Sequence, residues 1–178
     1  MPYINGRLWD THDRGMEDYQ FTKIAKPHAT KDRFGRVITE TYVSREENGE
    51  RVKLAVMCPS TALWQEKQVE ICDWLINRVG VDAVYVDQIA AAPPVNCMDK
   101  SHAHRRGGGS WWYEHYYNLL DHLALRAGPE RGYTTESNAE PFVGRVGGML
   151  VWHWSGDHQV PAFPAIYAGY QPMMGRNY

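Results

Sequence analysis

Two short runs do most to limit the folds open to this chain. Asp82-Ala83-Val84-Tyr85-Val86-Asp87 and Gly132-Tyr133-Thr134-Thr135-Glu136 are short, rich in β-branched and aromatic residues, and closed by a carboxylate. Between them lie a long loop, Gln88 to Gly109, and a helix-length stretch from Trp111 to about Ala127 that Ser110 is placed to cap. Strand, crossover helix, strand is the order that makes a parallel pair. Parallel sheets of this kind collect their chemistry at the C-terminal strand ends, where both carboxylates stand.

The rest of the chain continues the alternation. Pro2 to Trp9 reads as a strand running into Asp10-Thr11-His12-Asp13, and Val37 to Val43 alternates like a strand before the turn Glu47-Asn48-Gly49-Glu50. Val52 to Met57 is another apolar run, ending at Cys58-Pro59-Ser60-Thr61. A helix follows, with an apolar stripe of Leu63, Val69, Ile71, Trp74, Leu75 and Val79, closing at Gly80. After Glu136 come a short helix at Glu140 to Val146, a strand from Gly148 to His153 and a last strand from Ala165 to Gly169. The expectation is an α/β fold, a partial (β/α)₈ TIM-type barrel of about six parallel strands with outer helices, in one domain over residues 1–178. A complete barrel takes roughly 200 to 250 residues or more. An incomplete one exposes strand edges, so a homo-oligomer or further barrel segments are expected to cover them.

Composition removes several function classes. Nineteen Lys and Arg against 21 Asp and Glu leave no basic field for nucleic acid or an anionic membrane. No apolar run approaches the roughly 20 residues that span a bilayer, and the first residues lack the apolar core of a secretory signal. A cytoplasmic protein is the default expectation, and a secreted or periplasmic one if a leader was lost. Cys58, Cys97 and Cys72 are odd in number and irregularly spaced, which argues for small buried thiols over a disulfide framework or zinc site. No cofactor is expected. Gly107-Gly108-Gly109-Ser110 lacks the Lys-Ser/Thr of a phosphate loop. What stands out is seven Trp and eleven Tyr, flat faces suited to stacking on sugar rings and equally able to fill a core.

Asp87 and Glu136 are the candidate catalytic pair. Ends of adjacent parallel strands lie about 4.8 Å apart, which suits the roughly 5 to 5.5 Å carboxylate separation of a retaining glycosidase. Taken singly, Asp87 can equally be a helix cap or half of a salt bridge, and the two acids can be unrelated loop groups. Glu140, the competing acid four residues on, is expected to meet a helix dipole from its first turn, with catalysis as the lesser alternative. Asp10 can hold vicinal sugar hydroxyls, with Trp9 as a wall and Arg7 beside it, or can pair with Arg7 or Arg14 on the surface. Trp64, His102, His104, Trp111, Asn138, His153 and Tyr167 complete the candidate substrate-binding set, each open to a packing role instead. His102-Ala103-His104 can ligate zinc, yet no further ligands stand at recognisable spacing, so no metal is expected.

Val84-Tyr85-Val86-Asp87-Gln88-Ile89, Thr135-Glu136-Ser137-Asn138-Ala139-Glu140 and Tyr3-Ile4-Asn5-Gly6-Arg7-Leu8-Trp9-Asp10 resemble an uncharacterised family of bacterial glycoside-hydrolase-like (β/α)₈ barrels. More distantly they are similar to retaining α-galactosidases and endo-α-N-acetylgalactosaminidases. The resemblance implies Asp87 as nucleophile and Glu136 as acid/base. The expected function is hydrolysis of O-glycosyl bonds in an oligo- or polysaccharide, with a non-catalytic carbohydrate-binding or structural fragment as the alternative.

Overall fold

The structure, a computed structural model, describes residues 1–15, 20–151 and 160–175. Among the described residues are eight strands, three α-helices and a few tight helical turns. By contact density the chain divides into two compact units. The first holds Met1–Gly6, Gln68–Pro93 and Tyr113–Tyr178, and the second Arg7–Lys67 and Pro94–Trp112.

The first unit is built on a five-stranded parallel sheet. Its strands are β1 (Tyr3–Asn5), β5 (Ala83–Asp87), β6 (Gly132–Glu136), β7 (Gly148–Val151) and β8 (Met173–Gly175), side by side in that order. Every pairing is parallel. On one face Val84, Val86, Tyr133, Thr135, Met149 and Val151 are buried, as period-two alternation requires. The helix α2 (Trp111–Ala127) carries the matching stripe, with Tyr116, Leu119, Leu120 and Leu123 buried at i, i+3, i+4 and i+7. Phe142 is fully buried, edge-on to the rings of Tyr113, Tyr116 and Tyr117.

The second unit contains an antiparallel sheet, β2 (Leu8–Asp10), β4 (Arg51–Val56) and β3 (Thr39–Arg45), in that order. Trp9, Phe21, Ala25, Ala29, Ala55, Met57 and Trp64 form its core. The helix α1 (Ala62–Asp73) continues as a wider π-helical turn, Trp74–Val79, and stops at Gly80, whose φ of 82° is left-handed.

The class expected from the sequence holds, and three details change. Pro2 to Trp9 is two strands in two sheets, broken at Gly6-Arg7. Val52 to Met57 supplies the antiparallel β4, because the turn before it folds the run back onto β3. Ala165 to Gly169 lies largely in the helix α3 (Ala162–Tyr167), where the Phe163 and Tyr167 rings meet at a tilt one turn apart, and the fifth parallel strand is Met173–Gly175. Among the described residues the parallel strands thus number five. The buried stripe of α1 and its extension is Trp64, Gln68, Cys72 and Ile76, while Trp74 and Val79 are exposed. A stripe containing Gln and Cys does not read as apolar, and Gln68 is buried because its amide donates to the Asn5 carbonyl at 3.1 Å.

Candidate active site

The C-terminal ends of β1, β5, β6 and β7 stand level. Asn5 pairs with Asp87, and Glu136 pairs with Leu150. Asp87 and Glu136 each lie two residues beyond the paired Tyr85 and Thr134. Since strand side chains alternate, Tyr3, Asn5, Tyr85, Asp87, Thr134 and Glu136 share one face, opposite the face covered by apolar residues. The two acids, 49 positions apart in sequence, are therefore neighbours across one strand pair.

Asp87 is 5% exposed and both of its carboxylate oxygens accept hydrogen bonds. The Tyr3 hydroxyl donates to Oδ2 at 2.6 Å, and the backbone N–H of Gln88 donates to Oδ1 at 2.6 Å. Burial of the phenol pushes the Tyr3 pKa up to about 12, aided by the hydrogen bond and charge of Asp87 and then by the charge of Glu136. The Tyr3 ring itself is more than half exposed, so it is the hydroxyl end that is enclosed. One hydroxyl thus touches the first acid and feels the second.

Backbone geometry marks the same two points. Among the described residues, the non-glycine residues at positive φ are Gln88 (65°) and Ser137 (71°), each directly following one of the acids. Side chains avoid this region, and such strain gathers at functional sites. It turns each chain sharply as it leaves its strand. Just past these turns, Gln88 Oε1 and Asn138 Oδ1 are buried acceptors without a hydrogen-bond partner. Gly6 makes the close approach possible on the β1 side. A Cβ there would meet Val86 and Ile89 side-chain carbons at 2.7 Å, and its N–H donates to the Asp87 carbonyl at 2.9 Å.

The remaining candidates have other surroundings. In the second unit Arg7 is 1% exposed, bound to Glu40 at 2.7 Å and lying over the Trp112 ring. Trp9 and Trp64 pack on each other in the core, with ring centroids 6.3 Å apart, which corrects their expected place as cleft walls. Asp10 pairs with Arg14 at 2.7 Å, the surface alternative already open from sequence. An open hollow lined by Thr11, Arg14, Glu46 and Lys53 lies in this unit, and Arg14 there pairs with Glu46. His102 is buried, and His104 stacks on Trp111 at 3.7 Å. Both histidines lie in one cluster with Cys58 and Cys97. Contact with Cys58 holds Cys97 well below the usual thiol range, and the same contact with burial pushes Cys58 up.

In the first unit Asn138 lies two residues past Glu136. Tyr167 sits on α3, not at a strand end, and donates to Glu140 at 2.6 Å. Glu140 opens a single 3₁₀ turn, Glu140–Phe142. His153 lies outside the described residues. Sequence reasoning did not single out Tyr3, Gln88 or the two cysteines. Tyr3 has a local signal, since it shares the face of Asn5, but its partner is visible only once β1 is known to pair with β5.

A family model described as a domain of unknown function (DUF6259) matches residues 1–178. The chain belongs to this family. A relative from Monosiga brevicollis, named "Putative glycoside hydrolase 22789", is 33% identical over 175 residues, or 95% of this chain. The chain spans 14% of that relative's length. Among solved structures, the α-N-acetylgalactosaminidase NagBb from Bifidobacterium bifidum (a quadruple mutant) is similar with a TM-score of 0.64 at 15% identity, covering 95% of this chain and 26% of that one. The α-galactosidase TtGalA from Thermus thermophilus, in complex with stachyose, gives 0.55 at 13%, covering 96% and 32%. Likeness at this identity shows the fold: a parallel-stranded part of a TIM-type barrel, as the sequence led one to expect.

Proposed function

We propose that this chain is one partial catalytic domain of a glycoside hydrolase, with Asp87 as nucleophile and Glu136 as acid/base. The observation that carries the reading is the level placement of the two carboxylates on adjacent parallel strands, both acting on the Tyr3 hydroxyl. The roughly 4.8 Å spacing of neighbouring strands supports a separation of the kind a retaining enzyme needs. An Asp87 oxygen attacks the anomeric carbon as the bond to the leaving oxygen breaks, and Glu136 gives that oxygen its proton. Glu136, now a carboxylate, takes a proton from water; the water oxygen attacks the same carbon and frees Asp87. Tyr3 and the Gln88 N–H hold the Asp87 carboxylate in place for the attack. Gln88 Oε1 and Asn138 Oδ1 are acceptors for sugar hydroxyls, which would satisfy groups otherwise costly to bury. The names of the solved neighbours point to α-linked galactose or N-acetylgalactosamine as first substrates to try.

The test is hydrolysis of aryl α-galactosides and α-N-acetylgalactosaminides by the parent, Asp87→Asn and Glu136→Gln. Asp87→Asn is expected to lower kcat/KM by about 10³-fold or more. Glu136→Gln should lose about 10²- to 10⁴-fold on poor leaving groups, and far less on nitrophenol, which needs no proton. A fully active Glu136→Gln on poor leaving groups would reject Glu136 as the acid/base. Three equally inert proteins that still bind glycan would favour the non-catalytic reading.

A further inference from the structure

The second unit holds a side-chain cluster that the hydrolase reading does not use. One ligand atom each from Cys58, Cys97, His102 and His104 lies within 4.8 Å of all the others. Cys58 follows β4, while the other three sit on the loop leading to α2. We propose that these four residues bind one zinc ion in a closed structural site that staples this loop to the end of β4.

The ring nitrogens make the case. His102 Nε2 lies 2.9 Å from the Pro27 carbonyl, which fixes the proton there and leaves the Nδ1 lone pair facing Cys97 Sγ at 3.5 Å. Zinc–ligand distances at the tetrahedral angle place sulfur and nitrogen about 3.6 Å apart. His104 is the mirror case: Nδ1 lies 2.8 Å from the Arg105 carbonyl, so the proton is on Nδ1 and Nε2 is the lone pair. That Nε2 is buried with no hydrogen-bond partner. Histidines that bind metals are held in this way, with the second nitrogen donating to a backbone carbonyl. Each histidine thus keeps one ring nitrogen free of any carbonyl, in a single cluster with two thiols.

The surroundings hold the set in place before any metal arrives. The Trp111 ring lies flat on His104, tilted by 7°, and its indole N–H donates to the Gly107 carbonyl at 3.2 Å. Gly107 in turn donates to the Cys97 carbonyl at 2.7 Å. Between Cys97 and His102, Asp99 accepts from the Ser101 N–H and hydroxyl and pairs with Lys31. Two thiolates with two imidazoles select zinc over calcium or magnesium, and four protein ligands leave no open position for catalysis.

The test is metal analysis of the 178-residue protein purified without chelators. The expected content is about one zinc per chain. Cys97→Ser and His104→Gln should each cut it at least tenfold, while Cys72→Ser, a buried thiol outside the cluster, keeps the parent level. Should the ligand variants fail to fold, cobalt loading of the folded parent decides: a tetrahedral cobalt–thiolate spectrum supports the site. A folded parent that takes up neither zinc nor cobalt overturns it. So does an intact mass two hydrogens lighter with a Cys58–Cys97 crosslinked peptide.

Discussion

Replacing Gly6 by Ala tests the packing that sets Asp87 against β1. The new methyl carbon would sit 2.7 Å from Val86 Cγ1 and Ile89 Cγ1, and 3.0 Å from Ile89 Cδ1. Carbon contacts are comfortable at about 3.5 to 4.0 Å, so the overlap approaches 1 Å on two sides. Neither neighbour can withdraw, because Val86 is 1% and Ile89 2% exposed. Overpacking of this kind costs about 1 to 3 kcal/mol. At 2 kcal/mol, a chain of this size loses about 4 to 8 °C in Tm. Reversible urea unfolding of Gly6→Ala beside Gly132→Ala measures the effect. A Cβ at Gly132 has nothing within 4 Å, so that variant should be neutral or gain up to about 1 kcal/mol from the stiffer unfolded chain. Adding Ile89→Ala should make the double variant's loss smaller than the sum by about 0.5 to 3 kcal/mol. An unchanged urea midpoint for Gly6→Ala, or strict additivity with Ile89→Ala, would refute the argument. Activity should fall as well, since Gly6 donates to the Asp87 backbone.

Two further outcomes follow from the same sheet. The Tyr3 phenol is favoured neutral in the fold, so its contribution to stability is whole below pH 10 and is lost as pH rises through about 12. A carbon-13 titration should place its midpoint near 12 and nearer 10 in Asp87→Asn; a parent midpoint at 10 would detach the hydroxyl from the acid. Phe142→Ala empties the slot bounded by Tyr113, Tyr116 and Tyr117 and should cost about 3 to 5 kcal/mol by urea unfolding. A loss under 1 kcal/mol would remove that cluster from the core.

Local patterns were readable where one segment settles its own conformation. The helix Trp111–Ala127 and the strand Gly132–Glu136 appear with the bounds that caps, periodicity and closing acids suggest, and the strand read from Asp82 to Asp87 begins one residue later, at Ala83. Val52 to Met57 was readable as a strand and not as a member of the second sheet, because its alternation is the same in either. Ala165 to Gly169 misleads for a different reason. Its apolar residues fit a strand, but the preceding Pro161 and Pro164 start a helical turn.

The sequence alone placed two carboxylates at strand ends, since a charged group closing an apolar run has to leave the core there. It also fixed the parallel class, because crossover-length segments separate those strands. Only the tertiary structure brought Tyr3 to Asp87 across 84 positions and joined Cys58 to Cys97, His102 and His104. Such pairings depend on which strand ends and loops meet in space, and no residue's local preference encodes its partner's identity.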